Sequence, residues 1–277
     1  MGVVLITGAG RGIGAATARA AADAGYDVAV TDIDGEAART VAEELPGNIR
    51  AIGVEHDVRD EEAWAAVFQD VERQLGPVDI LVNNAGMIHT GWARDLSGDQ
   101  HRQMVDVNFL GPMYGTLEAM RRMKERGGHI VTVCSMTSFL PLPGYSSYGA
   151  TKHALRSFIN TVAIEERASR VAFTLVHPPG VRTEMLEQEK RDPSAVAAFA
   201  EKSVGPEVIA ETIVRSFKKR PLFGRPAEIV FPALGGRFQR WVGAQAVLMR
   251  LAMPFVLASG RRALRKRVRE KDGDAAP

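Results

Sequence analysis

The chain has 277 residues, 45% of them hydrophobic and 25% charged, with a formal net charge of +2 and a single cysteine. That length and apolar content can bury a full core, while one cysteine excludes any intramolecular disulfide. The near-neutral total hides an asymmetry: residues 1–214 carry 20 Lys and Arg against 29 Asp and Glu, and residues 215–277 carry 15 against 4.

Strands are predicted near residues 3–7, 27–31, 49–55, 79–82, 129–134 and 171–176, with a last short one at 228–231, and helices fill the intervals. This alternation, with no linker, predicts one α/β domain over residues 1–232. It is a Rossmann-type doubly wound parallel sheet with helices on both faces, and a basic, amphipathic extension follows over 233–277.

The first strand runs into Thr7-Gly8-Ala9-Gly10-Arg11-Gly12-Ile13-Gly14, and an alanine-rich helix follows. Glycines there let the chain turn sharply and bring backbone N–H groups to a pyrophosphate, whose charge the helix dipole also favours. A glycine turn alone also suits a plain tight loop; the strand before it and the helix after it supply the context of a dinucleotide site. The second strand ends at Asp32, eighteen residues beyond Gly14. A carboxylate there accepts hydrogen bonds from the adenosine ribose hydroxyls and repels a 2′-phosphate, so NAD is favoured over NADP. Asp34 is the better candidate to cap the next helix. Arg11 leaves NADP open, because a guanidinium in the glycine turn can pair with a 2′-phosphate.

Cys134 ends an apolar strand and reads as a buried small residue rather than a nucleophile. His56, His89, His101, His129, His153 and His177 show no ligand spacing, so no catalytic metal is expected. His89 and His177 are read as polar lining near the site entrance. Ser135 stands thirteen positions before Tyr148, and Lys152 four after it. A phenol with a reference pKa of about 10 needs help to act as a base at neutral pH. The i, i+4 spacing sets Lys152 on the same helical face, where its charge is expected to favour the phenolate and lower the Tyr148 pKa. Ser135 can then hold the substrate oxygen.

Together these motifs resemble the short-chain dehydrogenase/reductase family in its main single-domain branch, to about residue 230. The resemblance implies catalytic roles for Asn108, Ser135, Tyr148 and Lys152, with Asn108 anchoring a water that links Lys152 to solvent. It places Gly8, Gly10, Arg11, Gly12, Ile13 and Gly14 at the pyrophosphate and Asp32 at the ribose. Asp57 and Val58 belong by the adenine, Asn83, Asn84, Ala85 and Gly86 follow the fourth strand, and Tyr148 and Lys152 also meet the cofactor. Pro178, Pro179, Gly180, Val181 and Thr183 belong beside the nicotinamide. The implied reaction interconverts a secondary alcohol and a ketone.

Met87, Ile88, Met136, Phe139, Leu140, Leu142, Tyr145 and Met185 are expected around the reacting carbon, which suggests a lipophilic substrate such as a sterol, a retinoid-like or a long-chain alcohol; core packing accounts for part of this set. The polar segment 184–203 is expected to form a lid. A sugar-nucleotide epimerase would need a larger substrate domain, an acyl-carrier ketoreductase normally uses NADPH, and a dinucleotide sensor usually lacks one of the four catalytic side chains.

The family also implies a homodimer or homotetramer paired through helices 100–123 and 146–167. No nucleic-acid partner is expected. The first strand begins at Val3 and leaves no room for a signal peptide, so a cytoplasmic protein is expected. In the tail, the apolar face of 241–258 beside Arg261, Arg262, Arg265, Lys266 and Arg267 suits the surface of an anionic membrane, at its inner face; cover for the substrate site or an oligomer contact is the alternative.

Overall fold

The computed structural model describes residues 2–195, 203–218 and 226–231, and further on 254–255, 258–262 and 264–266. Its strands are β1 (Val3–Thr7), β2 (Asp27–Asp32), β3 (Ala51–Glu55), β4 (Val78–Asn83), β5 (Gly128–Val133), β6 (Val171–His177) and β7 (Ala227–Val230). The helices are α1 (Gly12–Asp23), α2 (Gly35–Glu43), α3 (Glu61–Leu75), α4 (Gly98–Val105), α5 (Gly111–Met123), α6 (Ser146–Glu165), α7 (Glu184–Glu189) and α8 (Pro206–Ser216).

All seven strands are parallel, in the order β3-β2-β1-β4-β5-β6-β7. Each strand reads as an apolar run rather than an alternation because helices cover both faces. Period 2 survives in the packing. Val3 and Leu5 of β1 join one core with Trp64, Phe68, Leu155 and Ile159, while Val4 and Ile6 join the other with Ala18, Val41 and Ile213. The strand order reverses between β1 and β4, and a crevice opens beyond their carboxyl ends, as doubly wound sheets require.

Asp34 caps α2 by accepting from the Ala37 N–H, as expected. The single helix expected over 100–123 is instead α4 and α5 joined by a π turn, Asp106–Leu110. The cause is local. Pro112 has no N–H to offer the Asn108 carbonyl four residues back, and the Gly111 N–H bonds Asp106 five back, which bulges the helix at Asn108. Of the tail segment expected over 241–258, residues 241–253 and 256–257 lie outside the described residues, as does the boundary after residue 232; 254–255, 258–262 and 264–266 are helical. Among the described residues no helix is long and apolar enough to cross a membrane.

His56 follows β3 and is buried edge-on against Trp64, with ring centroids 4.5 Å apart. Burial is the main cause that pulls its pKa down, to about 4, against the opposing charges of Asp57 and Asp60. An unfolded histidine titrates near 6.5, so between about pH 6.5 and 4 the unfolded chain holds the extra proton and stability falls as pH falls. The full loss is on the order of 3 kcal/mol. Urea melts across that window are expected to show a shallower pH dependence for His56→Gln than for the parent; identical slopes would remove His56 as the source.

Candidate active site

The glycine turn between β1 and α1 is built for close approach. Gly8 and Gly12 have φ of 60° and 58°, and a Cβ on Gly14 would stand 2.3 Å from the Gly8 carbonyl oxygen. The turn is fixed from β4: Thr7 Oγ1 accepts from the Asn84 and Ala85 N–H groups, both at 3.1 Å, and Asn84 Nδ2 donates to the Thr7 and Gly8 carbonyls, both at 2.9 Å. Arg11 is the N-cap of α1, and no side chain caps the first turn. The N–H groups and the positive end of the helix dipole are thus left for an anion, which fits a dinucleotide pyrophosphate.

Asp32 ends β2 beside the glycine turn. One carboxylate oxygen accepts from the Gly10 N–H at 2.9 Å and the other from the Asp34 N–H at 3.1 Å. Basic side chains around the cavity are already engaged. Arg11 pairs with Glu184 at 3.3 Å, Arg19 with Glu44 at 2.6 Å and Arg59 with Asp57 at 2.6 Å, while Arg182 donates to the Ser203 carbonyl at 2.8 Å. The side-chain hydrogen bond from Arg59 holds the Asp57 carboxyl below its ordinary range.

Ser135 follows the end of β5 and accepts the Thr137 N–H at 3.1 Å, while Tyr148 and Lys152 project from the first turns of α6. Lys152 is buried; its Nζ donates to the Val133 carbonyl at 3.1 Å and lies 5.8 Å from the Tyr148 ring centroid. Tyr148 and Ser135 line the same cavity, and Ser135 is near enough to act on the phenol. The Tyr148 pKa is raised rather than lowered as the spacing alone suggests. Burial raises it most and the Glu189 charge raises it further, against the lowering by Ser135. Burial also pushes the Lys152 pKa down. Desolvation of both groups outweighs the helical neighbourhood that spacing alone reveals. Cys134 is buried beside them, its thiol pushed up to about 12, chiefly by burial, and so inert.

One cavity of about 1080 Å³ brings most of the expected residues together. Gly8, Arg11, Gly12, Ile13, Asp32, Asp57, Val58, Asn84, Ala85 and Gly86 line one part, and Pro178, Gly180, Val181 and Thr183 border Ser135, Tyr148 and Lys152. Met87, Met136, Leu140, Leu142, Tyr145 and Met185 wall the rest. Others stand behind the wall. Asn108 is buried, accepting from the Met87 N–H at 2.8 Å and donating to the Met87 carbonyl at 2.9 Å. Ile88 is buried against Tyr145.

Three expectations need correction. Phe139 packs on His177, with centroids 4.5 Å apart, and under the Arg156 guanidinium at 4.4 Å, instead of facing the cavity. His177 is fully buried with Ser138, 2.7 Å from its Nδ1, because it is the last residue of β6 and points into the core. His89 is turned to Gln103 at 2.9 Å and does not line the cavity.

The segment expected as a lid begins with α7, whose Gln188 donates to the Ile88 carbonyl at 3.1 Å; residues 196–202 lie outside the described set. Glu189 of this helix accepts from the Tyr145 hydroxyl at 2.8 Å and lines the cavity. It was not among the expected site residues. The signal was its position four after Met185, on the same helical face.

The short chain dehydrogenase family model matches residues 2–194. A 3-beta-hydroxysteroid dehydrogenase of Comamonas testosteroni is 32% identical over 187 residues, covering 67% of this chain and 73% of that protein. Among solved structures, an alcohol dehydrogenase from Thermococcus sibiricus complexed with 5-hydroxy-NADP aligns with a TM-score of 0.74 at 28% identity, over 84% of this chain and 97% of that one. A 3-ketoacyl-(acyl-carrier-protein) reductase from Brucella melitensis complexed with NADH aligns with a TM-score of 0.73 at 26% identity, over 82% and 96%. The chain therefore belongs to the short chain dehydrogenase family, and it is an alcohol–ketone oxidoreductase that uses a nicotinamide dinucleotide.

Proposed function

We propose that this oxidoreductase prefers NAD and interconverts a secondary alcohol and a ketone on a lipophilic substrate. The observation that carries the reading is that Ser135 and Tyr148 line one cavity beside buried Lys152, whose Nζ lies 5.8 Å from the Tyr148 ring centroid, and that the same cavity holds the glycine turn. The dinucleotide, when bound, supplies the hydride acceptor or donor. Gly8 to Gly14 would hold its pyrophosphate, Asp32 its adenosine ribose, and Val181 and Thr183 would border the carboxamide.

Tyr148 Oη takes the hydroxyl proton of the alcohol in oxidation and returns it to the carbonyl oxygen in reduction. Ser135 Oγ donates to that oxygen and fixes it over the tyrosine. Lys152, anchored on the Val133 carbonyl, sets its ammonium beside Tyr148, where it would hold the ribose hydroxyls of the bound dinucleotide. Asn108 ties the π turn to the Met87 backbone and so keeps the floor of the site in register. The apolar wall, and the likeness to a hydroxysteroid dehydrogenase, support a lipophilic substrate. Exposed Val105, Leu117 and Ile164 on α4, α5 and α6 support pairing with a second copy.

NAD preference rests on Asp32, whose carboxylate a 2′-phosphate would face, together with the pairing of the arginines that line the cavity, Arg11, Arg19, Arg59 and Arg182. Initial rates on a panel of lipophilic alcohols are expected to give kcat/KM at least about tenfold higher with NAD than with NADP. Asp32→Ala should erode the difference. Equal or better efficiency with NADP, or turnover confined to 3-ketoacyl thioesters with NADPH, would favour the acyl ketoreductase reading.

A further inference from the structure

The wall around the reacting centre is apolar at Met87, Met136, Leu140, Leu142 and Met185, and the carboxyl set into it is that of Glu189. This side chain is half-buried and, among the described residues, accepts one hydrogen bond, from Tyr145. Lys190, its neighbour in sequence, pairs with Glu187 at 2.7 Å instead. A carboxylate has about four acceptor sites, and desolvating it with one of them filled is costly unless a ligand donates. The group is close to the chemistry: the Tyr145 and Tyr148 rings are 6.5 Å apart, and the Glu189 charge is felt at the Tyr148 hydroxyl.

We propose that Glu189, held by Tyr145, is a specificity site that accepts a hydrogen bond from a second hydroxyl on the substrate near the reacting carbon and turns away substrates bearing an anion there. The proposal rests on the alcohol–ketone reading of the same cavity and narrows it to uncharged diols and hydroxyketones of lipophilic skeleton. A hydroxyl replaces the water that the carboxylate gives up on ligand entry. A substrate carboxylate would set two like charges together in a poorly hydrated wall.

The test uses the full-length protein saturated with NADH, because an alcohol cannot turn over in that complex. Cyclohexanols carrying a hydroxyl, a methyl or a carboxylate at ring carbon 2, 3 or 4 are titrated calorimetrically. At one ring position at least, the hydroxyl compound is expected to bind about tenfold tighter than the methyl compound, and the carboxylate about tenfold weaker. Glu189→Ala should level hydroxyl and methyl. Glu189→Gln, which keeps an oxygen for Tyr145, should lift the exclusion of the carboxylate and keep part of the hydroxyl preference. Equal binding of all three by the parent, or discrimination unchanged in both variants, overturns the proposal. A hydroxyl preference in binding, without hydride transfer on any matched alcohol or ketone, would leave the specificity site standing and bring down the redox reading instead.

Discussion

Tyr148→Phe is expected to lower kcat by about 10³-fold while changing the affinity for the dinucleotide by less than about threefold. The phenyl ring keeps its place against Tyr145 and Lys152 and loses only the oxygen that carries the proton. The raised pKa of the parent tyrosine gives the effect a direction in pH. Oxidation needs the phenolate, so its rate should climb with rising pH, whereas reduction starts from the protonated form that burial favours. Burial and the Glu189 charge hold that proton in place and Ser135 opposes them, while the Lys152 Nζ lies 5.8 Å from the ring centroid. Glu189→Gln should move the rise in oxidation to lower pH, because the carboxylate raises the Tyr148 pKa and the amide does not. Initial rates in both directions, with dinucleotide binding by fluorescence, measure all of this. Tyr148→Phe turning over within tenfold of the parent would take the tyrosine out of the mechanism.

Gly14→Ala carries the second large effect. Its new methyl would meet the Gly8 carbonyl oxygen at 2.3 Å, Asn84 Nδ2 at 2.6 Å and the Ala9 Cα at 2.7 Å. Two of these are backbone, so no side-chain rotation relieves them. Helix α1 must move away from the turn, or Asn84 must release the Thr7 and Gly8 carbonyls that it bonds. The expected cost is about 3 kcal/mol, in the range of overpacking combined with a broken buried network. Dinucleotide affinity should fall by more than about tenfold, because the N–H groups of the first turn no longer converge. Thermal melts with and without NAD report both changes. A variant that melts with the parent and is stabilised equally by NAD would show that the contact at Gly14 is not tight.

Much of this was legible in the chain because the cues were local. Every strand was placed within about two residues, since each apolar run is bounded by Gly, Pro or charged residues. The TGAGRGIG turn and Asp32 were readable because a glycine turn between a strand and a helix has few other uses. What spacing does not carry is burial. Lys152 four residues after Tyr148 suggested a lowered tyrosine pKa, but the desolvation that reverses the sign depends on α7 and β5 closing over the pair. His177 is expected as polar lining near the site entrance, yet as the last residue of β6 it turns into the core. The π turn at Asn108 needed two facts at once, the missing N–H of Pro112 and the grip of Asn108 on Met87. Glu189 was hidden within a polar stretch whose helical face became informative only beside Tyr145.

The most direct test of the central claim, that Tyr148 carries the proton in an alcohol–ketone redox reaction, is a single-turnover experiment. Full-length protein and Tyr148→Phe are each mixed with NAD and a lipophilic secondary alcohol, and the reduced-nicotinamide absorbance is followed by stopped flow. The expected result is a rapid rise approaching one equivalent per site for the parent, faster at higher pH, with no comparable rise for Tyr148→Phe although NAD binds. Equal traces from the two proteins, or no reduced nicotinamide from the parent with any alcohol in the panel, would contradict it.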